Sequence, residues 1–156
     1  MKKEHFYEAT IAWTGSENDT TFDYKSYSRN HAVEIDGKQP FIMSADPAFL
    51  GDPSKLNPED CLLVALASCH MLSYLALAAI KGLKIVGYKD HPRGTMIQED
   101  LGGQFSIVML RPEVTIPAGA DSELAQDLHE AANKTCFIAS SVNFPVQHEP
   151  VVLMLD

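Results

Sequence analysis

Residues 57–82, N-P-E-D-C-L-L-V-A-L-A-S-C-H-M-L-S-Y-L-A-L-A-A-I-K-G, are the most apolar segment of the chain and constrain its fold more than any other. Asn57 is a good N-cap, Pro58 suits the first helical position, and Glu59 and Asp60 complement the positive end of a helix dipole. Lys81-Gly82 supplies a basic last turn and a glycine stop. These signals predict one long helix, apolar on nearly every face and therefore buried on most sides. A chain of 156 residues can hardly cover such a helix alone. A second copy would supply the missing cover, so a homodimer is expected. Within it, the stretch 62–80 approaches the ~20 residues that a membrane span needs. However, Ser68, His70, Ser73 and Tyr74 interrupt it, Asp60 and Lys81 close it, and its flanks read as sheet. We expect a core helix and no membrane partner.

The flanks alternate. Tyr7, Ala9, Ile11 and Trp13 against Glu8, Thr10 and Ala12 predict a half-buried strand over residues 5–13. Residues 15–19 read as a turn and 21–27 as a returning strand. Ala32–Ile35 leads into an Asp36-Gly37 turn, and 44–56, with three prolines, reads as an ordered loop. Beyond the helix, strands are expected at 83–89 and 95–99 around the His91-Pro92-Arg93-Gly94 turn. Gly102-Gly103 reads as a turn before a strand over 105–116. Asp121 should cap an amphipathic helix reaching about Lys134, with Leu124, Leu128 and Ala131 or Ala132 on one face. A final strand is expected over 144–155. Strands, helix, strands, helix, strand make one α+β domain, residues 1–156.

Composition narrows function. A net charge of −9 disfavours nucleic acid and anionic membrane surfaces. The N-terminus lacks an apolar secretory core, which points to the cytoplasm. There is no G-x-G-x-x-G, Walker or G-x-S-x-G sequence, and no C-x-x-C or H-x-x-x-H metal pattern. Neither a cofactor nor a metal is expected. A Cys–His hydrolase finds residue types in His31, His129 and His148 but no local signature. Cys61 and Cys69 lie about 12 Å apart along a helix, beyond the ~7 Å Cα separation a disulfide tolerates. Cys136, just past the second helix, could reach one of them. By composition alone, all three cysteines also read as small core hydrophobes.

Three local sequences carry more. N-P-E-D-C-L-L-V-A-L-A-S-C places Cys69 ten residues after Glu59, H-E-A-A-N-K-T-C ends at Cys136, and Y-S-R-N-H holds Arg29. Together, in order, they resemble the OsmC/Ohr family of thiol peroxidases. That resemblance implies an antiparallel sheet wrapped around a long buried central helix, in an intertwined homodimer. It also implies reduction of organic hydroperoxides to alcohols through a Cys69 sulfenate and a Cys69–Cys136 disulfide, recycled by an external dithiol such as a lipoyl group. In that scheme Arg29 keeps Cys69 anionic and Glu59 holds Arg29. Phe137 stands where many relatives have proline, and Cys61 is read as packing, as are Ser68 and His70. Glu59 and Cys69 are separated by about 15 Å of helix. Arg29 and Glu59 are therefore expected to serve the partner subunit's Cys69. The alternative is a non-catalytic OsmC-like protein that binds a small hydrophobic ligand.

Overall fold

Short alternating segments build the N-terminal sheet: β1 (Thr10–Ala12), β2 (His31–Glu34) and β3 (Phe41–Met43), all antiparallel in that order. The computed structural model describes residues 2–13, 15, 21 and 23–155. The chain divides into two compact units, Met1–Cys61 and Leu62–Asp156. In the first, Ile11 pairs with Val33 and Val33 with Phe41. The Asp36-Gly37 turn forms as expected, with Gly37 at φ 70°. Most of the turn read at 15–19 lies outside the described residues. At 21 and 23–27, where a strand was expected, the chain makes turns and bends. Its polar side chains cap backbone: Asp23 Oδ1 accepts from the Lys25 amide at 3.0 Å, and the Ser26 hydroxyl donates to the Asp23 carbonyl. β3 was not foreseen.

The 44–56 loop is ordered around one helical turn, Pro47–Phe49, whose cap Asp46 accepts from the Ala48 amide at 2.7 Å. A Cβ on Gly51 would sit 1.7 Å from the Ala45 carbonyl oxygen, so only glycine fits there. Helix α1 (Pro58–Ile80) follows. The Asp60 amide donates to Asn57 Oδ1 at 2.7 Å, and the Asn57 amide donates back to Asp60 Oδ2 at 3.4 Å, a reciprocal cap. The helix stops at Gly82, φ 72°, where the Leu83 amide returns to the Ala78 carbonyl.

In the second unit the strands are β4 (Gly87–Asp90), β5 (Arg93–Glu99), β6 (Gly102–Leu110), β7 (Pro112–Pro117), β8 (Val146–His148) and β9 (Val151–Leu155). Helix α2 (Ser122–Thr135) lies between β7 and β9 in contact. Two sheets result, β4-β7-β9 and β5-β6-β8. They are one three-stranded ribbon bent in the middle. The segments read as single strands at 105–116 and 144–155 each break where the ribbon bends, at Arg111 and at Glu149-Pro150. The Asp90 carboxylate accepts from the Arg111 amide at 2.7 Å, the Glu149 amide donates to the Leu110 carbonyl, and Arg111 pairs with Glu149 at 3.6 Å. Gly102-Gly103 lies within β6, the turn falling one step earlier at Asp100-Leu101. β4 and β5 do not form a hairpin; each pairs with a different half of the ribbon. Nor is the ribbon wholly antiparallel, since β6–β8 and β7–β9 run parallel.

The core clusters form on this ribbon. Leu66 packs with Val108 and Leu110, while Tyr74 and Ala78 pack with Val114, Ile116, Ala125, Leu128 and Ala132. Within α1, only Leu66, His70, Tyr74 and Ala78 are buried, one residue per turn on a single stripe. Val64, Leu72 and Ile80 are 57%, 62% and 78% exposed. Burial on most sides is therefore not achieved inside one protomer. The fold is α+β, with helices packed on sheets. By length and hydropathy α1 could cross a bilayer, but its buried stripe lies in the core of the domain.

Candidate functional site

Arg29 follows the turns of residues 23–28, and those turns give it its seat. Its guanidinium lies 3.8 Å from the centre of the Tyr27 ring and 4.8 Å from that of Tyr24. One Nη donates to the Tyr27 carbonyl and the other to the Tyr24 carbonyl. Trp13 fixes the platform, meeting Tyr27 edge to face and donating from Nε1 to the Ser28 carbonyl at 2.7 Å. His31 Nδ1 stands 2.9 Å from the Arg29 carbonyl. Among the described residues, two of the five guanidinium N–H donors are engaged, leaving donors for an anion or a polarised oxygen.

Arg29 and Glu59 line one open cavity of about 410 Å³, with Trp13, Tyr27, His31 and Phe49 among its walls. Glu59 enters from the first turn of α1. The expected grip of Glu59 on Arg29 is not made here: no ion pair joins them among the described residues, and backbone carbonyls hold the guanidinium instead. All described lining residues lie between positions 13 and 59, and none is a cysteine. Cys61 sits on Met43, sulfur to sulfur at 4.0 Å. Burial, then the Asp60 charge, raises its pKa, which suits packing better than nucleophilic chemistry.

The other two thiols meet in the second unit. Cys69 is half-buried on α1, and Cys136 is 1% exposed at the C-cap of α2. Cys136 is pushed up to about 11, first by burial and then by its hydrogen bond to Cys69. At neutral pH it is a protonated thiol, its sulfur also accepting from the Ala139 amide at 3.4 Å. Both cysteines are reduced. Of the two pairings the sequence leaves open, Cys136 with Cys61 or with Cys69, the structure brings together Cys69 and Cys136. Among the described residues 62–155, no lysine or arginine hydrogen-bonds either sulfur. Leu72 and Phe137 are 62% and 79% exposed.

The sequence reading missed two features. Tyr24 and Tyr27 stack on Arg29; both fell within the strand read over 21–27, which hid them. The second is a pile of His70, His129, His148, Tyr74 and Tyr88 that begins next to Cys69, with His70, His129 and Tyr74 fully buried. Among the described residues, no group of three or more His, Cys, Asp or Glu side chains could hold a metal ion.

A bent ribbon, a long apolar helix and a thiol pair across two helices define a recognised class. The OsmC-like protein family model matches residues 51–150, and the chain belongs to that family. An OsmC-like protein of unknown function from Vibrio cholerae is 29% identical, with a TM-score of 0.86 over 95% of this chain and 100% of that one. An organic hydroperoxide resistance protein from Elizabethkingia anophelis shares the fold at 19% identity and TM-score 0.68, covering 99% and 100% of the two chains. The organic hydroperoxide resistance protein OhrB of Bacillus subtilis does so at 19% and 0.62, covering 93% and 98%. No curated protein sequence matches the chain.

Proposed function

We propose that the protein is a cysteine-based peroxidase that reduces organic hydroperoxides to alcohols. The observation that carries this reading is the proximity of the Cys69 and Cys136 thiols. Half-exposed Cys69 is the attacking thiol. Its thiolate takes the distal oxygen of ROOH, the O–O bond breaks, and the alkoxide leaves as ROH after gaining a proton, while Cys69 becomes a sulfenic acid. Buried Cys136 does not compete as nucleophile at neutral pH, because its proton is held. It resolves the sulfenic acid: the S–S bond forms, and the thiol proton leaves with the sulfenic hydroxyl as water. An external dithiol then reduces the bridge by exchange and is itself oxidised to a disulfide. A lipoyl-type dithiol suits a bridge that is shallow on its Cys69 side.

An unperturbed thiol is only a few per cent ionised at neutral pH, so the attack needs a nearby cation. We assign that cation to Arg29. Because Arg29 and Glu59 share a cavity with no cysteine in its described wall, and about 15 Å of helix separates residues 59 and 69, the site is completed in a homodimer. Arg29 and Glu59 of one subunit serve Cys69 of the partner subunit. The exposed apolar faces of α1 supply surface for that pairing. We place the protein in the cytoplasm, where dithiol reductants are maintained.

Two variants test this together. Cys69→Ser and Arg29→Gln should each lose at least about 10³-fold in alkyl hydroperoxide turnover with a dithiol reductant. After subunit exchange, an equal mixture of the two should regain roughly a quarter of wild-type activity, because half the dimers then hold one intact site. No recovery would place Arg29 and Cys69 of the same subunit together. Peroxide consumption by Cys69→Ser equal to wild type would favour the non-catalytic ligand binder.

A further inference from the structure

Helices α1 and α2 are joined by a ladder of three rungs. Cys69 meets Cys136, His70 Nε2 lies 3.0 Å from His129 Nδ1, and the Tyr74 hydroxyl donates to the Ala125 carbonyl at 3.0 Å. Ascending on α1 means descending on α2, so the helices run antiparallel along it. His70 and Tyr74 are one turn apart on α1, as are Ala125 and His129 on α2, while Cys69 directly precedes His70 and Cys136 is the C-cap of α2, seven residues past His129.

The middle rung is costly to build. His70 and His129 are each 1% exposed. Their rings stack nearly parallel, 8° apart, and Tyr74 stacks on His129 with centroids 4.1 Å apart. One nitrogen of each ring makes the mutual hydrogen bond, but His70 Nδ1 and His129 Nε2 have no partner among the described residues. A pair of leucines would bury more apolar surface and leave no polar atom unpaired. His148 packs edge-on to both rings, Tyr88 and Asp90 approach from β4, and exposed Glu130 lies 3.8 Å from His148 Nε2. What an imidazole pair provides, and leucines do not, is one directional bond fixing the rotation and height of α1 against α2.

We propose that the His70–His129 hydrogen bond is a positioning clamp that sets the spacing of Cys69 and Cys136 and thereby the ease with which their disulfide closes. The proposal rests on the thiol assignment above. His70 and His129 are positioning residues: neither touches the peroxide, and both act through the helices that carry the sulfurs. Burial, the leading cause, lowers His70 to about 4 and His129 to about 3, so both are neutral at physiological pH and can share a single proton bridge.

The test is the equilibrium of the Cys69–Cys136 bridge in buffers of reduced and oxidised dithiothreitol, which needs no peroxide. His129→Asn keeps an amide where Nδ1 stood, whereas His129→Gln carries it to the Nε2 position and loses the rung. The double variant His70→Leu/His129→Leu removes the rung and leaves no orphan. The clamp predicts near-wild-type behaviour for His129→Asn. For His129→Gln and the double leucine variant it predicts a disulfide at least tenfold easier to reduce, about 30 mV for this two-electron couple. Sulfenic acid formation at Cys69, followed in a Cys136→Ser background, should be unchanged by the same substitutions. A double leucine or His129→Gln variant with the wild-type equilibrium overturns the clamp, whatever the peroxidase assay shows. Shifted equilibria in a protein that consumes no peroxide would uphold the clamp and overturn the peroxidase reading. If the wild type forms no Cys69–Cys136 bridge at all, both fall.

Discussion

The two helices that carry the thiols are built on opposite terms. α2 is finished by its own chain: Ala125, Leu128, His129 and Ala132 face the core, and Glu123, Gln126 and Glu130 face water. α1 is unfinished. It buries the same number of residues along one stripe but leaves Val64, Leu72 and Ile80 uncovered. The thiols divide the same way, Cys136 sealed on α2 and Cys69 accessible on α1. A sealed thiol keeps its proton and waits; an accessible one can meet substrate. The contrast teaches that the accessible sulfur sits on the element whose apolar faces this chain leaves uncovered.

Charging the uncovered face should break this contrast most severely. Leu72→Glu is expected to weaken self-association at least about 100-fold in sedimentation velocity and to remove peroxide turnover, while Gln126→Glu on the wet face of α2 changes neither. A Leu72→Glu protein that stays dimeric and active would mean that α1 is not covered by a second copy.

A smaller effect falls on the buried stripe. Leu66, fully buried, should cost about 2–5 kcal/mol of stability when replaced by alanine, read from the urea midpoint. Under denaturing conditions that separate dimers, Val64→Ala on the uncovered face should cost no more than about 0.5 kcal/mol. Equal costs would erase the distinction between stripe and exposed face.

The third concerns pH, and its sign is set by the buried imidazoles. His70 falls from 6.5 to about 4 on folding and His129 from 6.5 to about 3, because burial disfavours the cation. The unfolded chain therefore binds more protons below pH 6.5. The stability these groups permit is complete above 6.5 and declines as the pH falls towards 4. Taking His70 alone, the decline is roughly 3 kcal/mol. Urea titrations at pH 7 and pH 4.5 should show it, and the double leucine variant should show a clearly smaller fall.

Much of this was legible from the chain. Asn57, Pro58, Glu59 and Gly82 marked both ends of α1, and Asp121 marked the start of α2, because caps are local chemistry. The strands at 105–116 and 144–155 were readable by alternation, but their breaks at Arg111 and Glu149-Pro150 were not. A bend that keeps all three strands paired leaves the pattern of side chains nearly continuous. The strand read at 21–27 failed because aromatic residues there serve Arg29 rather than a sheet. Cys69, Cys136, Arg29 and Glu59 were singled out through resemblance, not periodicity, and the structure adds which of them meet. The His70–His129 rung was invisible because it joins residues 59 positions apart, and a lone histidine on an apolar face carries no signal of its partner.

The most direct test is to map the cysteines by mass after one equivalent of an alkyl hydroperoxide is added to the reduced protein. The account predicts one new disulfide joining the Cys69 and Cys136 peptides, with Cys61 still alkylatable. A bridge through Cys61, or three thiols left free while peroxide is consumed, would contradict it.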